Sequence, residues 1–241
     1  MTKVAMLMGA AMAAMAMAGT AHAETTFTGN VALSTDYVFR GISQTNEDPA
    51  ISGGFDATHR LFYAGVWAST IDFAANDAEL EMDLYAGFKP VVGPFTLDLG
   101  VIGYFYPSAS NESGVGGTRE ADYFELKASA SIAPVENMSL SGAVYYSPEF
   151  TVDPTDGKGL YVEAAAGYTI NDMFAVSGAV GNQSVDNANY YGLGEDSYTT
   201  WNLGGTLTYS GFGIDLRYVD TDLDNFPAAE ERVVLTVKRA L

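Results

Sequence analysis

The chain has 241 residues, of which 48% are hydrophobic and 17% charged, and it contains no cysteine. Eleven Lys and Arg residues against 30 Asp and Glu residues give a formal net charge of −19, which excludes nucleic acid as a partner because phosphate binding needs a basic surface. The absence of cysteine excludes disulfide scaffolds, thiolate metal sites and cysteine nucleophiles. The charged fraction is below the roughly 25% typical of soluble domains, and the length fits one or two ordinary domains or a single all-β barrel.

The first 23 residues have the three parts of a secretory signal peptide. Lys3 gives a positive start, residues 4–17 form an uninterrupted small and apolar run, and residues 21–23 form an A-x-A cleavage site. The apolar run is too short to span a bilayer comfortably as an anchor. We therefore expect residues 1–23 to be cleaved and residues 24–241 to form one exported domain.

A period-2 alternation of apolar and polar residues recurs through residues 24–241, which contain no apolar stretch of 18 residues that could form a spanning helix. Glu79, Glu81 and Asp83, for example, share one face of a segment whose other face is apolar. The pattern predicts twelve strands, and all eight prolines fall between them, since proline cannot donate to a sheet. The predicted strands are 26–40, 50–59, 62–73, 79–89, 95–106, 121–132, 139–147, 158–170, 173–184, 198–209, 212–220 and 230–241.

The connections between these strands alternate in length. Those after even-numbered strands are short, such as 59–61 and 210–211, whereas those after odd-numbered strands are mostly longer and acidic, such as 41–49, 107–120 and 221–229. This alternation is typical of an outer-membrane barrel, which has tight periplasmic turns and long outer loops. It predicts an all-β fold, a transmembrane antiparallel up-and-down β-barrel with both termini on the periplasmic side.

Two features favour a membrane barrel over a soluble barrel, whose apolar side chains would point inward. The polar strand faces carry charges although the total charged content is low, as expected if lipid covers the other faces. Aromatic residues concentrate near the predicted strand ends, where membrane barrels have aromatic girdles. The residues assigned to the girdles are Tyr37, Phe39, Tyr104 to Tyr106, Tyr145, Tyr146, Tyr168, Trp201, Tyr209, Phe212 and Tyr218.

Three segments near the start of the exported domain also resemble a known family. They are Phe27 to Gln44 (FTGNVALSTDYVFRGISQ), Asp48 to Asp56 (DPAISGGFD) and Phe62 to Ser69 (FYAGVWAS). These segments are similar to the opening of the TorF family of porin-type proteins from proteobacteria, and Leu84 to Phe88 (LYAGF) matches further along the chain. The resemblance implies an outer-membrane barrel and brings no transported solute with it. The end of the chain differs, because outer-membrane barrels often end in Phe and this chain ends in Leu241.

No arrangement typical of an enzyme occurs in the sequence. A Ser–His triad needs a histidine as general base, and the exported domain has one histidine, His59, beside a predicted periplasmic turn. No Gly-x-Ser-x-Gly, His-Glu-x-x-His or Walker sequence is present. We therefore expect no catalytic activity.

Barrels of twelve strands lie between eight-stranded barrels, which side chains fill, and the 16–18-stranded porins with open channels. The leading hypothesis is a narrow channel for ions or small solutes, with cation preference because acids outnumber bases on the polar faces. The alternatives are a non-conducting outer-membrane barrel with a surface or structural role, and a soluble barrel that carries a small ligand. Expected partners are outer-membrane lipid, lipopolysaccharide, the barrel-assembly machinery and the transported ions or solutes. The residues expected to line the pore are Asp36, Arg40, Glu79, Glu81, Asp83, Glu125, Lys127, Asp215 and Arg217.

The last predicted outer loop has the oxygen spacing of a calcium loop. Asp220, Asp222 and Asp224 occupy relative positions 1, 3 and 5, and Glu231 occupies position 12. Asn225 stands where such a loop has glycine, and asparagine tolerates the left-handed conformation. The spacing predicts a weak Ca²⁺ site of the extracellular type, and the competing interpretation is an acidic, solvated loop. No other cofactor is expected.

Overall fold

The computed structural model describes residues 25–73, 78–107, 122–150, 157–186 and 196–241. The predicted signal peptide and parts of four predicted outer loops lie outside the described residues. Within the described ranges, no helix combines the length and the apolar character needed to cross a membrane.

The strands of the described residues follow the predicted ones closely. They are β1 (Thr26–Ser34), β2 (Val38–Phe39), β3 (Ile42–Ser43), β4 (Ala50–His59), β5 (Phe62–Thr70), β6 (Leu80–Phe88), β7 (Val91–Val92), β8 (Phe95–Phe105), β9 (Tyr123–Ile132), β10 (Met138–Ser147), β11 (Gly159–Thr169), β12 (Phe174–Val185), β13 (Ser197–Tyr209), β14 (Phe212–Thr221) and β15 (Arg232–Ala240). A single 3₁₀ turn in the described part of the chain, η1 (Pro227–Ala229), precedes β15.

Twelve of these strands form a closed antiparallel ring, in the order β1, β4, β5, β6, β8, β9, β10, β11, β12, β13, β14 and β15. The ring closes where β15 pairs with β1, with Val237 opposite Leu33, and β8 pairs with β6, with Gly103 opposite Leu84. Since each of the twelve strands has two neighbours, no sheet edge is left among them. The prediction of a twelve-stranded up-and-down barrel is therefore confirmed.

The two faces of the barrel wall differ in the way that a membrane barrel requires. Large apolar residues such as Phe27, Phe55 and Leu203 are exposed on the outer face. Most charged residues of the strands alternate with them on the inner face, where Asp98 and Glu125, for example, are buried. A soluble barrel has the reverse arrangement, so the wall favours the membrane barrel that the sequence predicts.

The first predicted strand, 26–40, is too long, because β1 ends at Ser34 and the following segment turns into the barrel. Residues 35–49 contain the short antiparallel pair β2 and β3, and we call this segment the lumen hairpin. Its two-residue turn, Arg40 and Gly41, has φ angles of 49° and 87°, as in a type I′ turn. The end of the barrel that carries the lumen hairpin and η1 is called the loop end below.

A buried apolar cluster lies at the loop end, where the lumen hairpin meets the wall. It consists of Phe150, Val185, Tyr198, Leu223 and Ala229, with Ile42, Tyr123 and Phe226 packed against it. Because Ile42 belongs to β3, this cluster attaches the lumen hairpin to the wall and to the segment around η1.

Part of the girdle assignment is wrong, because several of those aromatic residues lie inside the barrel. Tyr104 is 4% exposed and donates to Glu125, and Tyr37 and Tyr106 both donate to Glu81. Phe39 and Tyr145 likewise lie against the Arg40 side chain within the lumen. Five of the assigned girdle residues are exposed on the outer face, and these are Tyr168, Trp201, Tyr209, Phe212 and Tyr218.

Candidate functional site in the barrel lumen

The tip of the lumen hairpin reaches the wall opposite the strand from which it starts. In the ring of twelve strands, β10 lies directly opposite β1 and is flanked by β9 and β11. Arg40 at the tip donates from Nη1 and Nη2 to Oε1 and Oε2 of Glu125 on β9, at 2.8 and 2.7 Å. The side chains are only 6% and 2% exposed. A buried, bidentate ion pair therefore joins the hairpin to the far wall.

An amide and three aromatic rings enclose the rest of the Arg40 head group. Nη1 also donates to Oε1 of Gln183 on β12 at 2.7 Å. The guanidinium carbon lies 4.2 Å from the ring centroid of Tyr161, 5.1 Å from that of Tyr145 and 4.6 Å from that of Phe39, which are distances of cation–π attraction. We call the wall residues around this head group the arginine cage; they are Glu125, Tyr145, Tyr161 and Gln183.

The backbone of the hairpin tip lies close to β13 and β14. Tyr198 donates its hydroxyl to the carbonyl oxygen of Arg40 at 2.9 Å. Gly41 fits so closely that a Cβ there would overlap the side chains of Thr200 and Thr221. Its φ of 87° also favours glycine. The lack of room for a Cβ and the positive φ therefore both require glycine at position 41, next to Arg40.

The base of the hairpin is held by Asp36, which is 6% exposed. One of its oxygens accepts hydrogen bonds from the hydroxyls of Ser43 and Thr45, at 2.7 and 2.8 Å. The other accepts from Nη1 of Arg232 on β15 at 2.9 Å. Asp36 thus joins both sides of the hairpin to the wall, which explains why the chain leaves the β1 ladder immediately before it.

Acidic residues of β6 lie on the inner face beside the hairpin. Glu81 is buried and accepts from the hydroxyls of Tyr37 and Tyr106, at 2.6 and 3.0 Å. Burial and the neighbouring carboxylates of Glu81 and Asp83 raise the pKa of the Tyr37 phenol above its ordinary value, so it stays protonated and can donate. Asp83 lies two residues further along the same face, and its Oδ1 is buried without a hydrogen-bond partner among the described residues.

Three basic residues of the inner face, Lys89, Lys127 and Arg217, form ion pairs within the wall itself. Lys127 lies 2.7 Å from Asp98, and Lys89 lies 3.8 Å from the same carboxylate. Arg217 lies 3.1 Å from Asp215. In these pairs both partners belong to the wall. Arg40 differs from them because the lumen hairpin carries its side chain across the lumen to Glu125.

Tyrosine hydroxyls donate to several inner-face carboxylates. The pairs are Tyr63 with Asp98 at 2.7 Å, Tyr85 with Asp56 at 2.7 Å and Tyr161 with Glu163 at 2.9 Å. The Tyr161 ring lies along the wall against Gly181, where a Cβ would overlap it. Inner-face glycines therefore let aromatic rings lie flat on the wall, where their hydroxyls reach the acids.

The structure divides the nine residues expected to line the pore into five groups. Arg40 and Glu125 form the crossing pair, and Glu81 and Asp83 lie beside the hairpin. The two wall pairs involve Lys127, Asp215 and Arg217, and Asp36 holds the hairpin base. Glu79 precedes β6 and is exposed at the loop end.

Sequence reasoning missed the role of Gln183, Tyr161 and Tyr198. Tyr161 has the same strand parity as Glu163, which indicates an inward side chain. That signal was available from the sequence. No local pattern indicates that Gln183 and Tyr198 meet the hairpin tip, because those contacts join residues 143 and 158 positions apart.

The four residues of the predicted calcium loop do not converge. Asp220 accepts from the Tyr218 hydroxyl and from the backbone of Thr221. Asp222 accepts from the backbone N–H of Thr199. Asp224 and Glu231 are exposed on either side of η1. No group of three or more His, Cys, Asp or Glu side chains among the described residues is arranged to hold a metal ion.

A family model described as a bacterial protein of unknown function (Gcw_chp) matches residues 18–241. The TorF family, which the first segments resemble, is not the family that this match identifies. No curated protein matches the sequence significantly.

Solved structures of outer-membrane channels share the fold. The NanC porin has a TM-score of 0.57 at 10% identity, over 88% of this chain and 98% of its own. The KdgM porin has a TM-score of 0.54 at 10% identity, over 89% and 98%. An outer-membrane channel from Pseudomonas putida F1 has a TM-score of 0.55 at 11% identity, over 89% and 94%. At such identities the similarity concerns the barrel architecture.

Proposed function

We propose that this chain, which belongs to the Gcw_chp family of bacterial proteins, is a porin-like channel of the outer membrane that passes ions or small solutes. The observation that carries the proposal is the closed ring of strands with an apolar outer face and a charged inner face. A barrel needs this arrangement to hold a polar lumen within lipid. The proteins of similar fold named above are channels rather than enzymes, which supports a non-catalytic role.

The lumen hairpin makes the proposed channel narrow. It crosses from β1 to the opposite wall, and its guanidinium is bound there by Glu125. Any solute that passes the loop end must move beside this hairpin or displace it. Twelve strands enclose a smaller lumen than the 16–18 strands of open porins, so an inward segment has a large effect on the remaining width.

The inner-face charges support a preference for cations. Arg40, Lys127, Arg217 and Arg232 each pair with an acid. Lys238 on β15 also has inner-face parity and forms no salt bridge within the described residues. Four inner-face acids form no salt bridge within the described residues, and these are Asp56, Glu81, Asp83 and Glu163. Unpaired carboxylates in a low-dielectric wall lower the energy of cations in the lumen and raise that of anions.

A second candidate function is a non-conducting barrel with a surface or structural role. The burial of the Arg40–Glu125 pair favours it, because a tightly seated hairpin could close the lumen altogether. In both candidates the barrel lies among outer-membrane lipid and lipopolysaccharide and depends on the assembly machinery for insertion.

Planar-bilayer recording of the purified barrel distinguishes the candidates. The proposed channel gives discrete current steps, and its reversal potential in a KCl gradient has the sign of cation preference. That preference declines as salt screens the carboxylates. The absence of steps from a barrel with heat-modifiable gel migration would support the non-conducting candidate. A reversal potential of the anion-preferring sign would contradict the assignment of selectivity to the inner-face acids.

A further inference from the structure

The wall residues of the arginine cage are aligned by the barrel itself. Sheet register places Tyr145 opposite Tyr161, and Tyr161 opposite Gln183, so these three form one row across β10, β11 and β12. Glu125 lies on β9, the next strand of the ring. The backbone pairing that forms this row involves the wall strands alone and not the lumen hairpin.

Hydrogen bonds within the wall also orient the acceptors of the cage. Tyr104 donates to Oε2 of Glu125 at 3.0 Å. Nε2 of Gln183 donates to the backbone oxygens of Ser184 and Leu160, at 3.1 and 3.4 Å. This fixes the amide so that Oε1 faces Arg40. Both acceptors are only 1% exposed, so the cage is a built, buried site with its acceptors aimed at a single point.

The chemistry of the cage is specific to a planar cation. A carboxylate that accepts two parallel N–H bonds matches a guanidinium, and flanking rings stabilise the positive charge. The Oε1 of Gln183 provides a further acceptor. The Glu125 carboxylate would repel an anion in the cage. A neutral solute would leave the negative charge of Glu125 uncompensated in a buried site.

The present occupant of the cage is held at a cost to the backbone. Arg40 has a φ of 49°, a left-handed conformation that glycine, asparagine or aspartate adopts more readily. The arginine at this turn position is therefore explained by its head group and not by its backbone preference. It is tethered to the cage by a hairpin that starts at the opposite wall.

We propose that the arginine cage is a recognition site for the guanidinium group of small solutes, and that Arg40 is a built-in occupant which such a solute displaces. The proposal goes beyond the proposed function, because binding to the cage does not require that the barrel conducts. It assigns a chemical class of ligand, alkylguanidinium ions, to residues of the inner wall.

The test uses the full barrel in detergent micelles with the cage vacated. Arg40→Gly removes the occupant and suits the left-handed φ, and n-propylguanidinium then supplies the atoms that the substitution deletes. Isothermal calorimetry should show saturable binding to this variant. The neutral isostere n-propylurea should bind at least about tenfold more weakly, because a charge-assisted hydrogen bond is stronger than a neutral one. Wild-type barrel, whose cage is occupied, should also bind n-propylguanidinium more weakly than the variant does.

The double variant Arg40→Gly/Glu125→Gln is the matched control, since it keeps the vacated shape and removes the carboxylate charge. Retained affinity in this double variant, or equal affinity for n-propylguanidinium and n-propylurea, would overturn the proposal. If Arg40→Gly fails the gel-migration test of folding, Arg40→Asn vacates the cage while it forms the Asn-Gly pair favoured in this turn. A variant barrel that binds n-propylguanidinium in micelles but gives no current would overturn the proposed channel and leave the cage assignment standing. A barrel that gives current but does not bind n-propylguanidinium would overturn the cage assignment and leave the proposed channel standing.

Discussion

Removal of the Arg40 side chain should release the lumen hairpin from the far wall. In the wild type the guanidinium donates two hydrogen bonds to Glu125 and one to Gln183, at 2.7–2.8 Å. In Arg40→Gly the closed hairpin would leave the Glu125 carboxylate buried without its cation. Opening of the hairpin admits water to that carboxylate, so the substitution shifts the equilibrium towards the open hairpin.

The size of the shift follows from two opposing contributions. Loss of one partner of a buried ion pair costs about 3–5 kcal/mol, and glycine at a left-handed position returns about 1 kcal/mol. The closed hairpin is therefore destabilised by about 2–4 kcal/mol, which corresponds to a roughly 30- to 700-fold larger open fraction at 1.4 kcal/mol per factor of ten.

A single introduced thiol can report this fraction, because the chain has no cysteine of its own. Thr200 is 4% exposed and lies directly against Gly41 of the closed hairpin. In a Thr200→Cys background, a water-soluble thiol reagent reacts only when the hairpin moves away, so its rate measures the open fraction. Arg40→Gly should raise that rate by the factor given above.

The matched control is Arg239→Ala, which removes the same charge from an exposed position against Phe212. It should leave the thiol rate within about twofold of the background, as expected for a surface substitution. An unchanged rate in Arg40→Gly, or an equal rise in Arg239→Ala, would refute the view that the Arg40–Glu125 pair holds the hairpin closed.

Three further predictions concern other parts of the lumen. Gly41→Ala should speed thiol modification at least about fivefold, because a left-handed alanine costs roughly 1–2 kcal/mol and its Cβ would overlap the wall; an unchanged rate would contradict the close fit. Glu81→Gln/Asp83→Asn should move the reversal potential in a KCl gradient towards zero. The control Glu136→Gln, on an exposed turn, should leave the reversal potential unchanged. Equal effects of the two changes would show that Glu81 and Asp83 do not determine the selectivity. Arg232→Ala should destabilise the hairpin base by about 3–5 kcal/mol because it leaves a buried carboxylate unpaired, and thiol modification as slow as in the background would exclude that role.

The strands could be predicted because each one alternates with period 2 and ends at a turn. The sequence predicts a strand over residues 50–59, and β4 has the same bounds. The apolar face of each strand could be assigned for the same reason. A shift of the register by one residue would move every apolar side chain to the opposite face of the wall, so one register is strongly favoured. Proline positions between the strands gave independent support.

The lumen hairpin could not be predicted because its sequence continues the alternation of β1. Tyr37 and Phe39 keep the parity of Leu33, whereas β1 ends at Ser34 and Asp36 has buried partners outside the β1 ladder. Those partners include Arg232, which lies 196 positions away. The Arg40-Gly41 pair was the one local sign of a turn.

The inward tyrosines of the wall strands could have been predicted, because parity alone assigns them. Tyr104 shares its face with Asp98 along β8, and Tyr123 shares its face with Glu125 along β9. The position of aromatic residues near strand ends suggested membrane girdles and outweighed that parity. For these tyrosines of the wall strands, parity gives the correct side of the wall.

The central claim is that the barrel conducts and that the lumen hairpin limits its conductance. Single-channel recording of wild type and Arg40→Gly under the same salt conditions tests it most directly. The wild type should give discrete, small current steps, and Arg40→Gly should give larger or more frequent openings. Identical conductance and gating in the two proteins, or no current from either barrel once folding is verified, would contradict it.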